Sequence, residues 1–331
     1  MTGAFSSMNI DHTHLVKYLD NKDTINFSNL EHISSNKSGY EIFNLTALNK
    51  IRVTYAPHVK KVSIEANLPY FWQGHNFSVS SNNIKDAIQS ISEALSSDIT
   101  SYDVQSFEFG STLLVNHPVN EYLNNHHELR GKIRQLWMGK RANRETGIVY
   151  NGYGSGNFNK IKIYDAGHRI KENIPKEIRT ALSEKFQYDS THNYLRIENH
   201  IFKPCNYYHL ASLTLNDLLK TDFLASCKID LIDIYKQIEK TGLSLLPKDK
   251  KDITSATLPL LFFQDRYPEL MTYEVRKEML SFIKSYDGDV LSKYDKKHRC
   301  QQIKGYWDKI QSNDESRYDL TKQLYNTPII Y

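Results

Sequence analysis

The sequence has little of what a disulfide-stapled or membrane-spanning chain needs. Its 331 residues include only 3 cysteines. Cys205, Cys227 and Cys300 lie far apart and form no CxxC pair. That spacing argues against a disulfide framework and a cysteine zinc site, and for a reducing compartment. No apolar run approaches the roughly 20 residues of a membrane helix; Leu258 to Phe263 is short and broken by Pro259. The N-terminus lacks a charged stretch followed by an apolar core, so no signal peptide is expected and the cytoplasm is the default location. Charge of one sign is also scarce. A net charge of +4 and a pI near 8.6 permit nucleic-acid binding without demonstrating it. Tryptophan is rare, with 3 residues, whereas tyrosine is abundant, with 22. Tyrosines stack on bases and donate to phosphates, although most of them serve as ordinary core or surface residues.

What is present is a run of strands followed by a run of helices. Tyr40–Leu45, Ile51–Tyr55 and Val59–Ala66 carry strand alternation. Ser80 and Ser81 offer N-caps to a helix over Ile84–Leu95, whose Ile84, Ala87, Ile88, Ile91, Ala94 and Leu95 form one stripe. Val104–Val115 reads as a strand and Asn120–Trp137 as a helix. Ile148–Tyr153 and Asn159–Asp165 read as two strands joined by a glycine-rich hairpin loop. A helix over Pro175–Phe186 and a strand over Asn193–Ile201 follow. Beyond Pro204 the pattern turns helical: a capping box at Thr214-x-x-Asp217, then helices over Leu231–Lys240, Tyr273–Tyr286 and Lys293–Ser312. This predicts an α+β fold, an antiparallel sheet with helices on one face, over residues 1–203. A mainly helical part follows over 204–331.

Four strands share one property: an apolar face opposite a face with ionisable groups. Those groups are Glu65; Glu108; Lys160, Lys162 and Tyr164; and Arg196, Glu198 and His200. In one antiparallel sheet these faces line a common groove. The plainer alternative is a solvated sheet face. Isolated carboxylates in a cationic groove weaken DNA binding unless they hold a divalent cation, and Mg²⁺ or Mn²⁺ takes oxygen ligands. The chemistry this suits is metal-assisted transesterification. Tyr164 attacks a phosphodiester to give a 5′-phosphotyrosine and a free 3′-hydroxyl, with Lys160, Lys162 or the metal lowering its pKa from about 10.

The block Ile64-Glu-Ala-Asn-Leu-Pro-Tyr-Phe-Trp-Gln-Gly74-His75-Asn76, followed by a capped helix, resembles the gene II/X replication initiators of filamentous phages and plasmids. Ser106-Phe-Glu108-Phe, Ile161-Lys-Ile-Tyr164 and Leu195-Arg-Ile-Glu198 follow in that family's order. The resemblance spans residues 60 to 203. It implies an HUH/Rep-like endonuclease core and rolling-circle replication initiation in a host bacterial cytoplasm. It also implies nicking by Tyr164, single-stranded or supercoiled origin DNA as substrate, and a host helicase and replication machinery as partners. Glu108 and Glu198 are then metal ligands. His75 is a third ligand or a cap of its turn, and Arg196 contacts phosphate or pairs with Glu198.

The chain departs from the family pattern in two places. Ser106 replaces an arginine of the acidic strand, and Ala166 stands where many members have lysine. Lys160, Lys162 or His168 is left to activate the tyrosine. Asp165 reads as a loop residue, and His12-Thr13-His14 as a strand segment rather than a metal site. The basic run Lys140, Arg141 and Arg144 is a candidate contact to the duplex backbone. Lys293–Lys309, with Tyr294, Tyr306 and Trp307 interleaved, is a candidate origin-binding segment. A relaxase or transposase using the same chemistry, and a non-catalytic single-strand-binding protein, are the alternatives.

Overall fold

The computed structural model describes residues 7–77, 79–138, 145–153, 158–186, 188–240, 273–312 and 318–329. The strands are β1 (Met8–Tyr18), β2 (Glu31–Ser35), β3 (Glu41–Thr46), β4 (Lys50–Ala56), β5 (Lys61–Asn67) and β6 (Asp103–Val115). They continue with β7 (His126–Leu129), β8 (Lys132–Ile133), β9 (Gln135–Met138), β10 (Glu145–Tyr153), β11 (Asn159–Asp165), β12 (Asn193–Phe202) and β13 (Ile238–Lys240). The helices are α1 (Leu68–Gln73), α2 (Ser81–Leu95), α3 (Val119–Asn125), α4 (Ala166–Asn173), α5 (Lys176–Phe186) and α6 (Pro204–Tyr207). After them come α7 (Leu215–Leu218), α8 (Thr221–Lys236), α9 (Tyr273–Ser285), α10 (Lys293–Ser312) and α11 (Thr321–Asn326).

Ten strands form one sheet in the order β2-β3-β4-β5-β1-β6-β12-β11-β10-β9, and every neighbouring pair runs antiparallel. The expected antiparallel sheet with helices is therefore the architecture observed. The chain divides into two compact units: Met1–Asn120, Gln135–Tyr235 and Gln323–Tyr331 form the first, and Glu121–Arg134 with Lys236–Lys322 the second. Helices α6 and α7, and α8 as far as Tyr235, thus belong to the unit that holds the large sheet. The chain's end returns to it, where Met8 N donates to Pro328 O at 2.8 Å. The second unit has its own sheet, in the order β13-β7-β8.

The helix expected over Asn120–Trp137 stops at Asn125. Arg130 (φ 48°) and Gly131 (φ 80°) both adopt left-handed backbone, the pairing a tight hairpin turn requires and a helix forbids. They connect β7 to β8, and Gln135–Met138 joins the large sheet beside β10. Near residue 240 the helix ends at Lys236 and a short strand follows.

On the back of the central strands, Phe107, Phe109, Ile161, Ile163, Leu195, Ile197 and Ile201 are buried. Phe223 of α8 approaches Phe107 at 6.2 Å between ring centroids. Seven such side chains leaving water stabilise by roughly 10–20 kcal/mol before chain entropy is subtracted. The front face is partly covered too. Phe77, Tyr164, Ala166, Ile170, Ile174, Leu182, Tyr188 and Tyr194 pack into one cluster there, with Tyr70, Trp137, Ile178 and Phe186 against it. Helix α4, for which the sequence pattern gives no expectation, begins at once after β11. Asp165 caps it, its carboxylate accepting from His168 N at 2.8 Å.

Candidate metal centre and its tyrosine

Antiparallel pairing sets the front face out in rows, because residues directly opposite each other point the same way. Tyr164 faces Arg196, and Arg196 faces Thr112. One row further, Lys162 faces Glu198, which faces Gly110, which faces Asn9. In the next row Lys160 faces His200, and His200 faces Glu108. The adjoining strand, β1, adds an irregularity. Ile10 pairs with Phe109 and Thr13 with Phe107, so Asp11 and His12 together oppose Glu108. Two residues against one make a β-bulge, which re-aims side chains. Here it brings both Asp11 and His12 to the charged face.

Asp11, Glu108 and Glu198 each place a carboxylate oxygen within 4.8 Å of the other two. Arg196, 1% exposed, organises them. Its Nε donates to Glu198 Oε1 at 2.5 Å and one terminal nitrogen donates to Asp11 Oδ2 at 3.1 Å. The other terminal nitrogen donates to Thr112 Oγ1 at 3.0 Å. Asn67 and Asn76 each donate to Asp11 at 2.6 Å. Lys162 pairs with Glu108 and lies 3.7 Å from Glu198, and His200 Nδ1 lies 3.0 Å from Glu108.

Two glycines make room for this arrangement. A Cβ on Gly110 would overlap Ile197 O and fall 2.8 Å from Glu198 Cγ. A Cβ on Gly147 would fall 2.6 Å from that of Tyr164. Each glycine sits directly opposite the residue that leans over it.

The electrostatics follow from this packing. Burial pushes the Asp11 carboxyl up to about 6, and the charges of Glu198 and Glu108 add to the rise against the opposing pull of Arg196. Burial also works to raise Glu198, but the Arg196 guanidinium overrides it and the net displacement is downward. Glu108 is likewise lowered: burial opposes ionisation, while the hydrogen bond from His200 and the charge of Lys162 outweigh it. For Lys162, burial favours the neutral amine, yet Glu198 and Glu108 carry it upward, so it stays an ammonium. Three hard carboxylate oxygens so placed suit Mg²⁺ or Mn²⁺. His12 Nδ1 and His200 Nε2 are buried without hydrogen-bond partners, and their rings lie 6.2 Å apart beside Glu108. The donor set fits a divalent cation.

Tyr164 is brought to this cluster, but not on an open face. Its hydroxyl donates to Glu198 Oε1 at 2.8 Å, and the residue is only 3% exposed. The expected open face is closed at this end because the ring packs against Phe77, Ile170 and Tyr194, with Trp137 edge-on at 5.3 Å. Burial, then the charge of Glu198, holds the phenol well above its ordinary pKa. Lys160 shares the face and is half-buried, with no ion pair among the described residues. His75 is not part of the cluster: its Nδ1 accepts from Phe77 N at 3.2 Å and lies 3.0 Å from Gln73 Nε2. That is the turn-capping alternative, and burial pushes its pKa down to about 4. Arg196 pairs with Glu198, and its guanidinium donates to Asp11 and Thr112 as well. This leaves a phosphate contact without support in the geometry. His168 lies 3.1 Å from Glu172 on its own helix. Lys140, Arg141 and Arg144 lie outside the described residues.

Asp11 and Arg169 were not singled out from the sequence. Strict alternation puts Asp11 and His12 on opposite faces, and nothing in the letters marks the bulge that unites them. Arg169 stands over two aromatic rings, 4.8 Å from the centroid of Tyr164 and 5.0 Å from that of Trp137.

Comparison with known proteins bears on the same strands. The family model of the N-terminal region of the phage replication-associated gene II protein matches residues 5–207. A solved structure, the rolling circle replication initiator protein from Geobacillus stearothermophilus, is similar at 8% identity with a TM-score of 0.39. The similarity covers 78% of this chain and 96% of that one. No curated protein gives a match. No helix among the described residues is long and apolar enough to cross a membrane. The family match takes in more than half of the chain, including Asp11, Glu108, Tyr164 and Glu198, and the chain belongs to the family of phage replication-associated gene II proteins.

Proposed function

We propose that this chain is a rolling-circle replication initiator that nicks one strand of origin DNA and later rejoins it, with Tyr164 as nucleophile. One observation carries the reading: the Tyr164 hydroxyl hydrogen-bonds at 2.8 Å to Glu198, one of three carboxylates gathered within 4.8 Å. Asp11, Glu108 and Glu198 would hold a Mg²⁺ or Mn²⁺ ion, which when bound would supply Lewis-acid polarisation of the phosphodiester. The chain's own groups do the rest. Glu198 takes the phenol proton as Tyr164 Oη bonds to phosphorus. The P–O3′ bond breaks, and the 3′-oxygen is protonated by Lys162, giving a 3′-hydroxyl and a 5′-phosphotyrosine. Rejoining reverses each transfer. The 3′-hydroxyl attacks phosphorus, its proton returns to Lys162, and the phenolate recovers its own from Glu198.

The buried hydroxyl sets a condition on this chemistry. DNA reaches the hydroxyl only when part of the aromatic cover over Tyr164 opens, with Arg169 staying over its ring. Lys160, Lys140, Arg141 and Arg144 are assigned to the DNA backbone. The helical part over 204–331, above all Lys293–Lys309, is assigned to origin recognition. A host helicase and the bacterial cytoplasm complete the proposed setting.

The test is covalent capture. The protein is incubated with supercoiled and circular single-stranded DNA and Mn²⁺, then denatured and separated on a gel. Wild type is expected to yield a protein–DNA adduct and Tyr164→Phe none. An adduct at full yield in Y164F overturns the nucleophile. No adduct from any wild-type reaction supports the non-catalytic binding reading instead.

A further inference from the structure

Of the cations on the front face, Arg196 and Lys162 are committed to carboxylates. Arg169 is not. Among the described residues no carboxylate lies within ion-pair distance of its guanidinium, although the side chain is only partly exposed. Its place is fixed by short-range geometry. Asp165 caps α4, and Arg169 follows four residues later, one turn into the helix and above the ring of the preceding Tyr164. Trp137, on the edge strand β9, supplies the second ring. The two rings meet at 77°, so the guanidinium rests in the corner they form. A half-buried guanidinium with no carboxylate is costly unless an anion arrives. Stacking on aromatic faces leaves its N–H edge available for bidentate contact with phosphate.

We propose that Arg169 is a phosphate-binding catalytic residue: it receives the non-bridging oxygens of the phosphodiester attacked by Tyr164 and keeps hold of them in the phosphotyrosine. The assignment rests on the nicking role of Tyr164. It adds a cation on the protein side of the phosphorus, on the ring of the nucleophile itself. No bond to Arg169 forms or breaks. Its charge offsets the extra negative charge that develops on the equatorial oxygens.

The test uses the full chain in two arms. In the first, with chelator and no metal, every protein including the reference carries W72F/W307F, which leaves Trp137 as the reporter, and random-sequence single-stranded oligonucleotide is titrated at low salt. Trp137 emission is expected to change and saturate. R169Q should weaken that binding by about tenfold, and R169K should stay within about threefold of wild type. In the second arm, with Mn²⁺, the rate of covalent adduct formation at saturating oligonucleotide should fall by about tenfold or more in R169Q and recover in part in R169K. An R169Q protein that binds and forms adduct within about twofold of wild type overturns the assignment and leaves the role of Tyr164 intact. If no protein forms adduct but R169Q still loses the Trp137 response, the phosphate site stands and the nicking reading falls. Circular dichroism of each variant checks folding. Should R169Q lose its native spectrum, R169M, which keeps an unbranched stem and removes the charge, takes its place, and an R169M protein that binds and forms adduct within about twofold of wild type overturns the assignment.

Discussion

The two halves of the charged face are built on opposite rules. In the inner half, every hydrogen-bonding nitrogen of Arg196 has an acceptor, and Asp11 accepts from two asparagines besides. Aromatic rings close over Tyr164 there. The outer half holds half-buried Lys160, Lys162, Glu108, His12 and His200, with imidazole nitrogens that have no partner. The inner half spends its polar capacity on fixing carboxylates in place, while the outer half keeps capacity in hand for a ligand. A site that must bind an ion repeatedly needs both parts: rigid oxygens, and donors not already satisfied.

That contrast can be broken in graded steps. The largest effect is expected from Arg196→Ala, which strands two buried carboxylates and should cost about 3–5 kcal/mol of stability in urea denaturation. Lys162→Ala, in the outer half, should cost less, about 1–2 kcal/mol, because Glu108 keeps its contact with His200 and Glu198 its bond from Arg196. Equal losses from the two would erase the distinction. Next, Glu108→Gln should lower Mn²⁺ affinity by about 10–100-fold in calorimetric titration with little change in stability. Gly110→Ala should destabilise by about 1–3 kcal/mol, because its Cβ overlaps the Ile197 carbonyl and Glu198. Gly305→Ala, where a Cβ meets nothing, should stabilise its helix by roughly 0.5–1 kcal/mol.

The smallest effect concerns pH. Asp11, held at about 6 by burial, must lose its proton to ligate a cation. Mn²⁺ affinity should therefore be flat above that pH and fall by about tenfold per unit below it. Asp11→Asn should show weaker binding with that inflection gone. Affinity that stays flat down to pH 4 would remove Asp11 from the ligand set.

Much of this face was legible in the sequence because strand alternation is a local property. Lys162, Tyr164, Glu108 and Glu198 each followed from period-two patterning within one strand, and pairing the strands needed only a single sheet. Asp11 was not legible because a bulge shifts phase by one residue, and alternation carried across it assigns the wrong side. Burial of Tyr164 was hidden for a different reason. The cover comes from α4, α5 and residues near Phe77, and alternation within β11 does not say which other elements fold over its end. Arg169 was hidden with its helix, since a short segment without an apolar stripe gives its side chain no direction. The turn at Arg130–Gly131 was overlooked because the residues around it look like acceptable helix formers, and only the backbone of a hairpin ends the run.

The most direct test of the account is the position of the ion. The protein crystallised with Mn²⁺ should show one anomalous peak about 2.0–2.3 Å from oxygens of Asp11, Glu108 and Glu198, with Lys162 withdrawn from Glu108. A peak held by other residues, or none at the three carboxylates at millimolar Mn²⁺, would contradict it and leave the cluster as ion pairing alone.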